Sequence, residues 1–152
     1  MAIRNIVFSD ESLIRKKSKV VTEFNEQLDT LLDDMKETMR KNDGVGIAAV
    51  QVGVLKRCII VEACGQLFEL INPKIIKEEG TQKGVEGCLS VKNISGEVVR
   101  PYKITVIAQN RYGDSMTLTV EGALAVVLCH EIDHLDGVLF IDKMIKDVSK
   151  KD

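Results

Sequence analysis

Ala123-Leu124-Ala125-Val126-Val127-Leu128-Cys129-His130-Glu131-Ile132-Asp133-His134-Leu135-Asp136, closed by Gly137, reads as a helix apolar on nearly every side. A helix of that kind is buried, not laid on a surface. Strand-like stretches elsewhere must then pack around it, which predicts an α+β fold of mainly antiparallel sheets about a buried C-terminal helix. The same helix carries the chemistry. His130 and His134 stand four apart, so both imidazoles leave one face and can reach one metal ion. They are the only two histidines in the chain. Glu131 is rotated off that face, well placed to touch a water on the metal and badly placed to ligate it. This is the pattern of metal-assisted hydrolysis.

Counting back from His130 puts Val127, Val126 and Ala123 on the ligand face, as an apolar floor beside the metal or as ordinary core. Asp133 lies beside His130, where it can orient a ligand or pair with a basic residue. Cys129 points about 100° away from the ligand face and reads as a core thiol.

Outward from this helix, Asn25–Arg40 is amphipathic, with Leu28, Leu31, Leu32, Met35 and Met39 in one stripe and Gly44 as its expected stop. Arg57–Glu62 and Leu67–Ile71 read as strands about the turn Cys64-Gly65-Gln66, with Pro73 closing the second. Lys103–Gln109 and Ser115–Val120 suggest a further hairpin. In the latter, Met116, Leu118 and Val120 alternate with polar neighbours, the period of a half-buried strand.

The 152 residues suit one domain, 1–152, without linker or repeat. Charged residues make up 29% with a net charge of −2, which predicts neither direct nucleic-acid binding nor an anionic membrane partner. No signal peptide or membrane-length apolar run is read, so the expected location is cytoplasmic. A reducing compartment argues against disulfides among Cys58, Cys64, Cys88 and Cys129. Cys58, in a strand-like run, serves as a small hydrophobe.

Two histidines hold a metal weakly, and Cys88 is the sharpest candidate for a third ligand. It sits in Gly84-Val85-Glu86-Gly87-Cys88-Leu89-Ser90, where glycines allow close backbone approach. Gly44-Val45-Gly46-Ile47-Ala48-Ala49-Val50-Gln51 likewise packs small residues and ends in an amide; taken alone, it reads as a helix cap and a plain loop.

Taken together and in this order, Gly44–Gln51, Glu86–Ser90 and His130–His134 closely resemble the three signature motifs of the peptide deformylases. The resemblance also takes in Leu13–Ser18 and Leu135–Phe140, and so covers nearly the whole chain. It implies Cys88, His130 and His134 as metal ligands, with a fourth position left to water. It implies Glu131 as general base and acid, and the Gln51 side-chain amide with the Leu89 backbone N–H as the pair stabilising the oxyanion. Val45, Gly46 and Gly87 would hold an extended peptide by their backbone, with Val126 and Val127 beneath its methionine. The implied reaction is removal of the formyl group from the N-terminal formyl-methionine of nascent proteins. The implied cofactor is one divalent ion, Fe2+ natively, with Zn2+, Ni2+ or Co2+ able to substitute.

The chain departs from the family pattern at Lys92, where a proline is common, and at Asn93-Ile94-Ser95-Gly96, which lacks a cleft arginine. Cys129 stands where glutamine is frequent. The first two bear on side-chain preference, not on the chemistry. Some relatives dock on the ribosome through a basic helical extension; Lys143–Asp152 is a poor substitute, which leaves ribosome association open. Two other readings compete. A general metalloprotease would need a longer cleft and would leave Glu86–Ser90 without a role. A closed structural metal site would need a fourth protein ligand such as Glu86 or Cys129.

Overall fold

The structure is a computed structural model that describes residues 2–149. Met1 and residues 150–152, the ends of the expected domain 1–152 and of the Lys143–Asp152 tail, lie outside the described residues. The strands are β1 (Gly46–Ala48), β2 (Cys58–Ala63), β3 (Gln66–Glu79), β4 (Gln82–Cys88), β5 (Val91–Arg100), β6 (Lys103–Gln109), β7 (Ser115–Glu121) and β8 (Lys146–Asp147). The helices are α1 (Glu26–Lys41), α2 (Ala123–His134) and the single turn α3 (Phe140–Lys143). Two antiparallel sheets form, ordered β1-β2-β3-β6-β7 and β4-β5-β8. The expected α+β class with a buried C-terminal helix is what the chain adopts.

Asn25 caps α1 by accepting the Leu28 N–H at 3.1 Å, a contact of the kind that contributes about 1 kcal/mol. All five residues of its apolar stripe are buried, each burial favouring the fold by about 1.5–3 kcal/mol. They pack on Cys58, Ile60 and Ile71, while Ile59 and Val61 of β2 join the cluster around α2. Period-two alternation in β2 therefore serves two cores, one on each face of the larger sheet. α2 lies between the sheets, packed on β1, β2 and β7 and also on β5. Its burial follows from its all-round apolarity. Among the described residues no helix is long and apolar enough to cross a membrane.

Several local expectations change. Gly44 does not stop α1: Asp43 takes the left-handed turn (φ 54°), and the Gly44 N–H closes on the Met39 carbonyl at 2.9 Å. Aspartate tolerates that conformation better than most side chains. Pro73 does not close its strand either. β3 runs on to Glu79, with a register shift between Ile71 and Lys74, and a proline without an N–H is tolerated at such an irregularity. Asn72, left-handed at φ 54°, steadies the break by bonding both backbone groups of Val21 and the Gln109 side chain. Gly44–Gln51 is no plain loop, since Gly46–Ala48 pairs antiparallel with Val61–Ile59 as an edge strand. Cys88 is the last residue of β4.

Candidate active site

Cys88 closes β4, and the turn at Leu89 and Ser90 leads into β5. Beside it, α2 presents His130 and His134 with ring centroids 5.1 Å apart. The Cys88 Sγ and one nitrogen from each ring lie within 4.8 Å of one another, and Sγ stands 3.3 Å from His134 Nε2. Metal–nitrogen and metal–sulfur bonds of about 2.0–2.3 Å can bridge such a group to one ion. The donor set, one thiolate and two imidazoles, fits a divalent first-row metal.

The surroundings orient the group. His130 Nδ1 is 2.9 Å from Glu86 Oε1, which leaves Nε2 as its free donor, and Phe140 stacks on the ring with centroids 6.0 Å apart. Arg100, buried between β5 and α2, donates to both oxygens of Glu86 at 2.9 Å and to Asp133 Oδ2 at 2.6 Å. Lys143 also reaches Asp133, at 2.9 Å. Burial would raise the Glu86 carboxyl, but the bonds from His130 and Arg100 overcome it and hold it down at about 2. Burial likewise opposes charge on His130, yet the Cys88 sulfur and Glu86 outweigh it and raise the imidazole to about 10. The same anionic surroundings attract a cation. His134 is pushed the other way, by burial first and then by the charge of His130.

Of the two alternative fourth ligands, Glu86 is committed to Arg100 and His130. Cys129 lies in the apolar core, where burial pushes its thiol up to about 11. Neither belongs to the ligand group. Asp133 takes the pairing role, not a direct hold on a ring.

Glu131 is buried against β1, and burial pushes its carboxyl up to about 7. A Cβ on Gly46 would sit 2.6 Å from Glu131 Oε2, so only glycine leaves room for this carboxylate. Gln51, 1% exposed, accepts the Ala48 N–H on Oε1 at 2.8 Å. Its amide nitrogen is thereby turned toward Ser90 Oγ (3.1 Å) and Cys88 Sγ (3.6 Å). A cavity of about 340 Å³ opens here, lined by residues 43–46 and 85–89 together with Val126, Val127, His130 and Glu131. Val126 and Val127 thus form its floor, whereas Ala123 is not among its walls. β1 and β4, which flank it, are edge strands of different sheets.

Sequence reasoning passed over Arg100 and Phe140 and weighed Glu86 only as a ligand. Arg100 carried no signal, because a buried arginine looks like any surface one until its strand register is known. Phe140 ends the Leu135–Phe140 stretch that shares the family resemblance, but nothing in its spacing points to His130.

Residues 3–150 match the family model described as Polypeptide deformylase. A peptide deformylase of Caldicellulosiruptor bescii is 52% identical over 152 residues, which is 100% of this chain and 92% of that protein. The crystal structure of peptide deformylase from Thermotoga maritima aligns with a TM-score of 0.92 at 38% identity, covering 95% of this chain and 99% of that one. For the peptide deformylase from Legionella pneumophila the TM-score is 0.91 at 42% identity, covering 94% and 86%. Agreement of this extent runs through both sheets and α2, well beyond one motif, and the chain belongs to the polypeptide deformylase family, metal-dependent hydrolases that remove the N-formyl group from newly made proteins.

Proposed function

We propose that the chain acts as a single catalytic domain, 1–152, on the formyl-methionyl end of nascent peptides in the cytoplasm, with Cys88, His130 and His134 holding one divalent metal. The observation that carries this reading is the cavity lined by Cys88, His130 and Glu131, with His134 Nε2 and the Gln51 amide both set against the Cys88 sulfur. A divalent metal supplies acidification of a water and polarisation of the formyl carbonyl. Glu131, raised toward neutrality by burial, takes the proton from the attacking water and returns it to the departing amine. The Gln51 Nε2 and the Leu89 N–H meet the charge that develops on the formyl oxygen. Gly46 in β1, Val45 just before it and Gly87 in β4 line the cavity between two edge strands, which suits an extended peptide laid between them. The methionine side chain rests on Val126 and Val127. A closed structural site is disfavoured because Glu86 and Cys129 are engaged elsewhere.

A formyl carbon bears only hydrogen, so a narrow site can admit it and refuse larger acyl groups. Formyl-methionyl peptides should release formate at least about tenfold faster than acetyl-methionyl peptides release acetate, since each excluded or misfitted methyl-sized group costs about 1–3 kcal/mol. Comparable rates on acetylated ends or internal bonds would move the assignment to a general peptidase.

Fe2+ is proposed as the native ion. Intrinsic affinities place it below zinc, so the ligand set alone does not select it, and the support is family resemblance. Protein loaded anaerobically with Fe2+ should be more active than the Zn2+ form and should decay in air as iron and thiolate oxidise. The Ni2+ form should persist, and Co2+ should also substitute. Equal turnover of iron and zinc forms, both stable to peroxide, would sink the iron assignment and leave the hydrolase reading standing.

A further inference from the structure

The two ligand histidines are held in different ways. His130 has a carboxylate on its Nδ1 and an aromatic ring on its face. His134 is fully buried, and its Nδ1 has no hydrogen-bond partner among the described residues. No polar contact of the ring away from the site therefore orients it; its position is set by the backbone that carries it. That backbone is the last turn of α2, whose terminal carbonyls need donors from outside the helix.

Those donors come from distant parts of the chain. The Leu135 carbonyl accepts the Ser18 N–H at 2.8 Å and Arg57 Nη1 at 3.1 Å. The same Arg57 nitrogen reaches Asp136 Oδ1 at 3.0 Å and the Ser18 carbonyl at 3.4 Å. The Arg57 side chain is only 14% exposed and its own backbone N–H is fixed on Lys19 at 2.9 Å. A cation at a helix C-terminus also meets the negative end of the helix dipole. Gly137 follows in a left-handed turn (φ 75°), packed so closely on the Arg15 carbonyl that a Cβ could not fit.

We infer that Arg57 is a positioning residue for His134, acting through the backbone of the last turn of α2. This rests on the reading of Cys88, His130 and His134 as ligands. Arg57 touches neither metal nor substrate in this scheme; it sets where the second imidazole points. Loss of an outer partner of a metal ligand commonly costs about 10–100-fold in metal affinity.

The test uses Co2+ as the probe, with binding followed by the thiolate-to-cobalt absorption band in the unmutated protein and in Arg57→Met, Arg57→Lys and Arg111→Met. Arg111 pins the β6–β7 turn to α1 through Asp33 and to β3 through Glu69, away from the site, and serves as the stability control. Urea unfolding is measured in parallel. Arg57→Met should bind cobalt about 10–100-fold more weakly, with Arg57→Lys in between. Arg111→Met should lose stability and keep cobalt affinity. If Arg57→Met is destabilised but binds cobalt like the unmutated protein, Arg57 is merely structural and the proposal is overturned. Should Arg57→Met fail to fold, Arg57→Lys decides: weaker binding supports the proposal and unchanged binding overturns it. Absence of the thiolate band in the unmutated protein would defeat the ligand reading itself, and this inference with it.

Discussion

Replacing Glu131 with alanine is expected to leave the metal bound and to cut turnover by about 10²–10⁴-fold, the usual cost of losing a general base, and by more if the same group also delivers the proton. Glu131 shares the cavity with His130 but stands outside the group formed by Cys88, His130 and His134. Its burial against Gly46 raises the carboxyl to about 7, the range in which one group can both accept and return a proton near neutrality. Metal content and formate release should be measured on the same preparation. If metal and activity fell in proportion, Glu131 would be a ligand and its assigned role wrong.

The second large effect is on stability. Arg100→Met should destabilise the fold by about 3–5 kcal/mol, because it strands the buried Glu86 carboxylate and weakens the hold on Asp133. His130 and Lys143 would each retain one of those acids, which argues for the lower half of the range. Denaturant unfolding with and without an accompanying Glu86→Gln change measures it. Removing both charges should recover part of the loss, since the penalty comes from the uncompensated acid more than from the missing attraction. A loss below about 1 kcal/mol would show that water reaches Glu86 and that the pair behaves like a surface one.

The parts of the fold that could be read in advance share a cause: a periodicity long enough to be unambiguous. α1 shows five apolar residues on one stripe, β7 alternates, and α2 is apolar on nearly every side. β1 has only three residues, all small or aliphatic, and no period can be seen in three. β5 is broken by Lys92, Asn93 and Gly96 and ends on a buried arginine, so its pattern resembles a loop. The run of β3 through Pro73 depends on Asn72 meeting Val21 and Gln109, partners 51 and 37 residues away. In the site, the residues named from the motifs do converge on one place. Their supports did not show, because Glu86 meets Arg100 and His130 through a hairpin register and a layer contact that no local pattern encodes.

Cys88 belongs to the smaller sheet and both histidines to the helix beneath it, so the three donors straddle a seam between layers. No single element contains the site. Native-state fluctuations that lift the β4–β5 hairpin from α2 would separate sulfur from imidazole, whereas fraying at the outer edge of β7 would leave the donors untouched. The amides of that hairpin should therefore exchange with solvent through the same openings that dismantle the site. Holding the donors together becomes a matter of how firmly two layers adhere, and any bound ion would act as a rivet across them, slowing hydrogen exchange on both sides of the seam.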